Sequence, residues 1–256
     1  MSIHPTAIID ESSEVGENVS IGPYSIVRKN AVIESGVEIH AHAVIGEGTI
    51  LRKNCKVFHG AVIGEVPQDL KFGGEETLTE IGENTIIREY ATIHRGTKDR
   101  KKTVIGRDCL IMAYVHVAHD CLIGDHVILA NAVNLAGHVT VEHNATLGGL
   151  VPVHQFVCIG QHCFIGGGYR VSKDVPPYIL ASNEPLSYCG LNAVGLRRRG
   201  FSRESRELMK KAYRLLFRSE LNRSQALEEI KSEFPQTEEI RNIIEFVENS
   251  KRGLIH

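Results

Sequence analysis

The chain contains no tryptophan, and aromatic residues make up only 6% of its 256 residues. A core packed from bulky rings is therefore excluded, and any interior must be filled by aliphatic and small side chains. An excess of one charge is also missing: 29 Lys and Arg stand against 31 Asp and Glu, for a net charge of −2. Nothing global points to a nucleic-acid partner. No apolar run approaches the ~18 residues that a membrane-spanning helix needs. Met1-Ser-Ile-His-Pro5 opens without a basic, apolar leader, so an integral membrane segment is not expected. The six cysteines lack paired spacing, which suits a reducing compartment. The expectation is a cytoplasmic protein.

What the chain does have is a rhythm of six. Counting in sixes from Ile111 meets Val117, Ile123, Leu129, Leu135, Val141, Leu147, Val153, Ile159, Ile165 and Val171. Backwards, the row passes Ile105, Ile93, Ile87 and Ile81, then runs from Ile63 to Ile3, broken only by Asp69, Glu75 and Asp99. A helix repeats near 3.6 residues and a half-buried strand near 2, so a sustained six belongs to a solenoid. One short strand and one bend per hexad put one aliphatic inward. Three such faces close a triangular coil, and coils stack by parallel hydrogen bonding at about 4.8 Å per layer. The slot four residues after each aliphatic is small or slender, as at Ala7, Ser13 and Ala31, and it holds Cys55, Cys109, Cys121 and Cys163. Cysteine there reads as a buried filler. Gly follows the aliphatic at Gly22, Gly82, Gly106 and Gly124, where a bend with unusual dihedrals is expected.

Two stretches leave the rhythm. Residues 66–79 carry a Pro, a Gly pair and mixed charge, and are expected to form an exposed loop of the kind that gathers ligand contacts. The charged run Gly96–Lys102 reads as a solvated loop. Between Ile105 and Val171 the coils are unbroken, so stacking follows by adding eighteen: Gly137 and then Gln155 lie above His119, and His138 above Asp120. His154 falls one residue short of two coils beyond His119. His119, Asp120, His138, His154 and Gln155 are thus expected as a polar column. Gly137 would leave a gap over His119 for a ligand and present a backbone N–H. His40, His42, His126 and His162 read as decoration. After Val171 the phase fails, Pro176-Pro177 ends the repeat, and Tyr178–Leu191 reads as irregular linker. Ser202, Ser224 and Thr237 then precede three amphipathic helices. Domains are expected at 1–185 and 186–256. The adjacent Arg197, Arg198 and Arg199 suit phosphates.

Several runs are specific: His116-Val-Ala-His119-Asp120-Cys121, Leu135-Ala-Gly137-His138, Val153-His154-Gln155-Phe156, Val66-Pro-Gln68-Asp69-Leu-Lys71, Ile93-His94-Arg-Gly-Thr97 and Leu196-Arg-Arg-Arg-Gly200. In order, and over essentially the whole chain, they resemble the UDP-N-acetylglucosamine O-acyltransferases, a branch of the hexapeptide-repeat acyltransferases. The resemblance implies a mainly β fold, a left-handed parallel β-helix of about ten coils with two loop insertions, followed by a small C-terminal α-helical domain. It implies a homotrimer with active sites between neighbouring β-helices. The implied reaction moves an (R)-3-hydroxyacyl chain from acyl carrier protein to the 3-hydroxyl of UDP-N-acetylglucosamine, the first step of lipid A biosynthesis.

By the same resemblance His119 is the general base, Asp120 its orienting partner and Gly137 the oxyanion donor. Gln68, Asp69, Lys71, His116, His138 and His154 line the sugar and pyrophosphate site. Asn192, Arg198 and Arg199 face the nucleotide with Gln155 near it, and Gly167 limits acyl length. No metal or other cofactor is implied, since the phosphopantetheine thioester of the carrier is the acyl donor. Val194 departs from the acidic residue of some members. Some relatives take a 3-amino sugar and form an amide, although Lys71 and His116 favour the hydroxyl. A zinc trimer like γ-class carbonic anhydrase, using His138 and His143, stands as a rival.

Overall fold

The structure, a computed structural model, describes residues 2–256. Most hexads form a strand of two residues and a bend, and the strands sort into three parallel walls. The first wall runs from Ser2–Ile3 to Phe164–Ile165, the second from Ile8–Ile9 to Pro152–Val153, and the third from Glu14–Val15 to Cys158–Ile159. Away from the loops the register is an offset of eighteen, as in Ile111 beside Leu129 and Val117 beside Leu135. Among the described residues the stack comes to eight complete turns and the opening strand of a ninth. The row of sixes points inward: Ile63, Ile87, Ile111, Val117, Leu135 and Ile165 are all fully buried.

Apart from Gly64, at φ 81°, the glycines after the aliphatics serve a purpose other than the expected one. Positive φ falls two residues later in the hexad, at Tyr24, His42, Tyr114, Asp120 and His138 among others. The glycine is needed because the next coil lies directly on it. A Cβ on Gly124 would sit 2.7 Å from the His143 nitrogen, and one on Gly82 2.4 Å from the Gly106 carbonyl carbon. The cysteines in the small slot donate to carbonyls of the next coil, Cys109 to Gly124 at 3.1 Å and Cys121 to Ala136 at 3.2 Å. Burial pushes the Cys121 thiol up to about 12, so it is no nucleophile.

Beyond Pro177 the chain is less irregular than its sequence suggests. Ile179–Ser182 pairs in parallel with Phe164–Ile165, and Ser187–Leu191 folds back antiparallel. The end of the first wall offers unpaired backbone groups, and these strands occupy them although the hexad phase is gone. Four helices follow: α1 (Ala193–Arg198), α2 (Arg203–Arg218), α3 (Arg223–Glu233) and α4 (Glu238–Asn249). Ser202 and Thr237 cap α2 and α4. The cap of α3 is Asn222, not Ser224, because Asn222 and Gln225 close a reciprocal capping box. Met209, Ala212, Tyr213, Ile230, Ile240 and Ile243 form the buried seam of the helices. The Tyr213 hydroxyl donates to the Pro177 carbonyl at 2.6 Å, tying α2 to the end of the stack. No helix among the described residues is long and apolar enough to cross a membrane.

Candidate active site

The strand His116–Val117 closes a turn of the second wall and Leu122–Ile123 opens the third. The corner between them carries His119 and Asp120. Asp120 adopts φ 59° and its side chain is fully buried. Four donors converge on its carboxylate. His119 Nδ1 lies 2.8 Å from Oδ2, the Thr97 hydroxyl donates to Oδ2 at 2.7 Å, and the Thr97 and Arg100 N–H groups donate to Oδ1 at 2.9 and 3.3 Å. Arg100 also donates its guanidinium to the Asp120 carbonyl at 2.8 Å. The loop 96–102 is therefore not simply solvated: Thr97 is 5% exposed and grips the carboxylate. The sequence hides this, because counting by eighteen stops where the phase stops.

Burial raises the Asp120 pKa, but the hydrogen bonds from His119 and Thr97 outweigh it and hold the group below the usual carboxylate range. An ionised carboxylate only accepts, so the proton of the neutral imidazole sits on Nδ1 and Nε2 keeps its lone pair. That is the tautomer a general base needs.

Gly137 stands one coil above, joined through the His138 N–H to the His119 carbonyl at 3.1 Å. The gap expected there is taken by the His119 ring itself: a Cβ on Gly137 would lie 2.7 Å from both Cε1 and Nε2. At some equivalent corners the N–H is capped by a side chain of an adjacent coil, as Arg107 by Asp125, Asp125 by His143 and Gln161 by Glu142. Among the described residues the Gly137 N–H has no such acceptor. Gly137, with its amide unpaired, thus packs against the imidazole.

The His138 ring meets His119 edge-on at 5.2 Å and stacks on Phe156 at 4.5 Å, a support not foreseen from sequence. Burial lowers its pKa. His154 and Gln155 are looser members of the column. His154 Nδ1 bonds the Gln155 carbonyl at 3.1 Å, and no hydrogen bond among the described residues joins either to His119. On the second wall His116 bonds Thr92 at 2.7 Å and packs edge-on against the buried His94 at 5.0 Å. Burial takes His94 down to about 4.

His94 yields a prediction. Its folded value lies below the ~6.5 of an unfolded histidine, so between these values the unfolded chain binds the proton more readily. The contribution of His94 is complete above about pH 6.5 and falls away as pH drops toward 4, by about 3 kcal/mol. Urea melts at about pH 7, 5.5 and 4.5 check this, and a stability that does not fall across that window removes the claim.

The remaining site residues divide into two groups. The first loop leaves the same corner as His119, between Val62–Glu65 on the second wall and Leu78–Ile81 on the third, two turns below. Gln68 and Lys71 are exposed, and the Asp69 carboxylate caps the Lys71 N–H at 3.0 Å. Glu75 of this loop accepts from the Lys98 N–H at 3.0 Å, so the two loops are tied together. Asn192, Arg198 and Arg199 instead line a pocket of about 790 Å³ on the outside of the first wall, with Ile128, Phe164 and Val194. Asn192 is already engaged, capping Gly195 at 3.1 Å and donating to the His162 carbonyl at 3.0 Å. His162 is no decoration, being half-buried between Tyr178 and Phe201 with its pKa taken by burial to about 4. Gly167 is exposed at the corner of the first and second walls. In a triangular prism the corner of the second and third walls lies opposite the first wall. One chain therefore holds the two groups apart.

Donor atoms of His119, Asp120 and His138 lie within 4.8 Å of one another and could hold a metal ion. The His138–His143 pair of the zinc rival does not form, since His143 stands at the corner of the third and first walls and accepts from the Asp125 N–H at 2.9 Å.

Stacked hexad coils bearing a carboxylate-held imidazole beside an unpaired amide define a hexapeptide-repeat transferase. Residues 12–47 and 102–137 match the family described as bacterial transferase hexapeptide, and residues 174–255 match the second domain of UDP-N-acetylglucosamine O-acyltransferase. The acyl-[acyl-carrier-protein]–UDP-N-acetylglucosamine O-acyltransferase of Aquifex aeolicus is 58% identical over 99% of this chain and 98% of its own length. That of Sulfurihydrogenibium is 53% identical over 99% of this chain and 94% of its own. The solved UDP-N-acetylglucosamine acyltransferase of Bacteroides fragilis superposes with a TM-score of 0.97 at 45% identity, covering 99% of each chain. The chain belongs to the UDP-N-acetylglucosamine O-acyltransferase family, and its stack is a left-handed parallel β-helix with a small C-terminal helical part.

Proposed function

We propose that this protein transfers an (R)-3-hydroxyacyl chain from acyl carrier protein to the 3-hydroxyl of UDP-N-acetylglucosamine, in lipid A biosynthesis in the cytoplasm. The observation that carries the reading is the His119–Asp120 pair lying against Gly137, whose N–H is unpaired among the described residues. A sugar hydroxyl is not ionised at neutral pH, so its proton must leave as the oxygen attacks the thioester carbon. His119 Nε2 takes that proton, a contribution of roughly 10²–10⁴-fold. Charge then develops on the carbonyl oxygen, where a preorganised N–H such as that of Gly137 contributes roughly 10²–10³-fold. Collapse breaks the carbon–sulfur bond, and the departing thiolate recovers the proton from the imidazolium. The products are an ester and the free thiol of the carrier, with no redox change and no covalent enzyme intermediate.

The separation of the two residue groups supports a homotrimer. The nucleotide pocket of Asn192, Arg198 and Arg199 on one copy completes the His119 corner of a neighbour, whose Gln68, Asp69, Lys71, His116, His138 and His154 take the sugar and pyrophosphate. Next to that pocket Arg206, Lys210, Arg214 and Arg218 line a groove of about 740 Å³, suited to the phosphate of the carrier's pantetheine arm. Gly167, at the far edge of the second wall, is assigned the limit on acyl length. Mass spectrometry of products from UDP-N-acetylglucosamine and a ladder of (R)-3-hydroxyacyl carrier thioesters tests the reading. An O-acylated nucleotide sugar is expected. Product formed only with the 3-amino sugar moves the assignment to amide formation, and no product with either sugar removes it.

A further inference from the structure

Every group in the proposed reaction lies on the regular coils, the first loop or the C-terminal helical part, and the chemistry leaves the second insertion without a role. Yet this short segment supplies three of the four donors to Asp120. A carboxylate can orient an imidazole only if it cannot itself turn, and the last torsion of an aspartate is soft. We propose that Thr97 is a positioning residue for the reaction, its N–H and O–H fixing the two Asp120 oxygens so that the carboxylate holds His119 in the reactive orientation and tautomer. The inference rests on the reading of His119 as the base.

The geometry is suited to this. Thr97 binds Oδ1 through its backbone at 2.9 Å and Oδ2 through its hydroxyl at 2.7 Å, so one residue sets the plane of the carboxylate. Its hydroxyl shares Oδ2 with His119 Nδ1 and draws off part of the negative charge that the imidazole sees. Thr97 is itself held firmly. Its carbonyl accepts from the Lys101 N–H at 2.8 Å, and the Gly96 N–H donates to the Leu78 carbonyl at 3.2 Å. A Cβ on Gly96 would meet the Lys102 nitrogen at 2.3 Å, so the turn closes tightly over a glycine. The other charged or titratable groups facing the dyad are Arg100 on the Asp120 carbonyl and His138, 3.7 Å from Oδ2. Asp99 faces His138 in turn at 3.8 Å, and His94 on the second wall lies close enough to feel the charge of His119.

Thr97→Val removes the hydroxyl, keeps the shape and leaves the backbone donor in place. Loss of the hydroxyl leaves more charge on Oδ2, which favours the imidazolium and makes His119 more basic. The acid limb of the kcat profile is therefore expected to move upward. On the plateau kcat is expected to fall about 10-fold or more, with KM for either substrate within about threefold and the melting temperature within a few degrees. Thr97→Ser should restore kcat to within about threefold and return the limb to its original place. Should the valine variant fail to fold, Thr97→Ala carries the same test.

An unchanged kcat and limb in the valine variant would overturn the proposal. So would a serine variant as impaired as the valine one, which would mean that the threonine only packs. His119→Ala, run alongside, separates the two levels. If it is inactive while Thr97→Val is normal, only the role of Thr97 is lost; if it is active, the base itself is wrongly assigned.

Discussion

Replacing His119 by alanine is expected to lower acyl transfer by at least ~10²-fold while leaving the stack folded. The asymmetry follows from where the ring sits. The imidazole lies between Gly137 and the edge of His138, outside the aliphatic core of the stack, so that core does not depend on it. The carboxylate it leaves behind keeps both Thr97 donors and the Arg100 N–H, so no buried charge is orphaned. Steady-state rates with a thermal melt on the same preparation check both halves. The residual rate should also lose the acid limb that a titrating base imposes. Near-normal activity would remove the general-base assignment.

Gly137→Ala should be nearly as damaging, for a steric reason. The backbone there does not require glycine, but the added methyl would lie 2.7 Å from two atoms of the His119 ring. The ring cannot yield without breaking its bond to Asp120, because the clamp of Thr97 and Arg100 fixes that carboxylate. Either the imidazole swings off its partner or the two coils part. We expect a loss of about 10²-fold in rate and about 1–3 kcal/mol in stability from the overpacking. A double-mutant cycle is decisive: in the His119→Ala background the ring is gone, and the stability cost of Gly137→Ala should largely vanish. A cost that persists unchanged would place the clash elsewhere.

Much of this was readable from the amino-acid order, because a strict period turns sequence distance into position. Adding eighteen to His119 and Asp120 reaches Gly137 and His138, and the structure stacks them as the arithmetic requires. What escaped lies where the period is lost or where a side chain has choices. Thr97 and Arg100 belong to an insertion with no frame, so their return onto Asp120 was invisible, and the charges around them suggested only solvent. Asn192 also caps α1, a six-residue helix too short to announce itself in the sequence. The glycines after the aliphatics stand out in the sequence, but a dihedral requirement accounts for Gly64 and not for Gly22, Gly82, Gly106 or Gly124. A dihedral requirement and a close backbone approach leave the same letter in the sequence, and only the neighbouring coil tells them apart. The strands after Pro177 were missed because sheet edges recruit whatever chain is at hand.

The spacing of the walls has a further consequence. Ile63 to Ile81 takes eighteen residues and Ile93 to Ile105 takes twelve, where six would join one wall to the next. The surplus bulges outward at a corner and leaves the angular setting of every later turn untouched. Within the regular coils there is no such freedom. Deleting one hexad below His119 would turn the upper column by about a third of a revolution, carrying the imidazole to another edge, whereas deleting eighteen residues would only shorten it. Length in this molecule is quantised, and drift in sequence length can be absorbed only at the bulges.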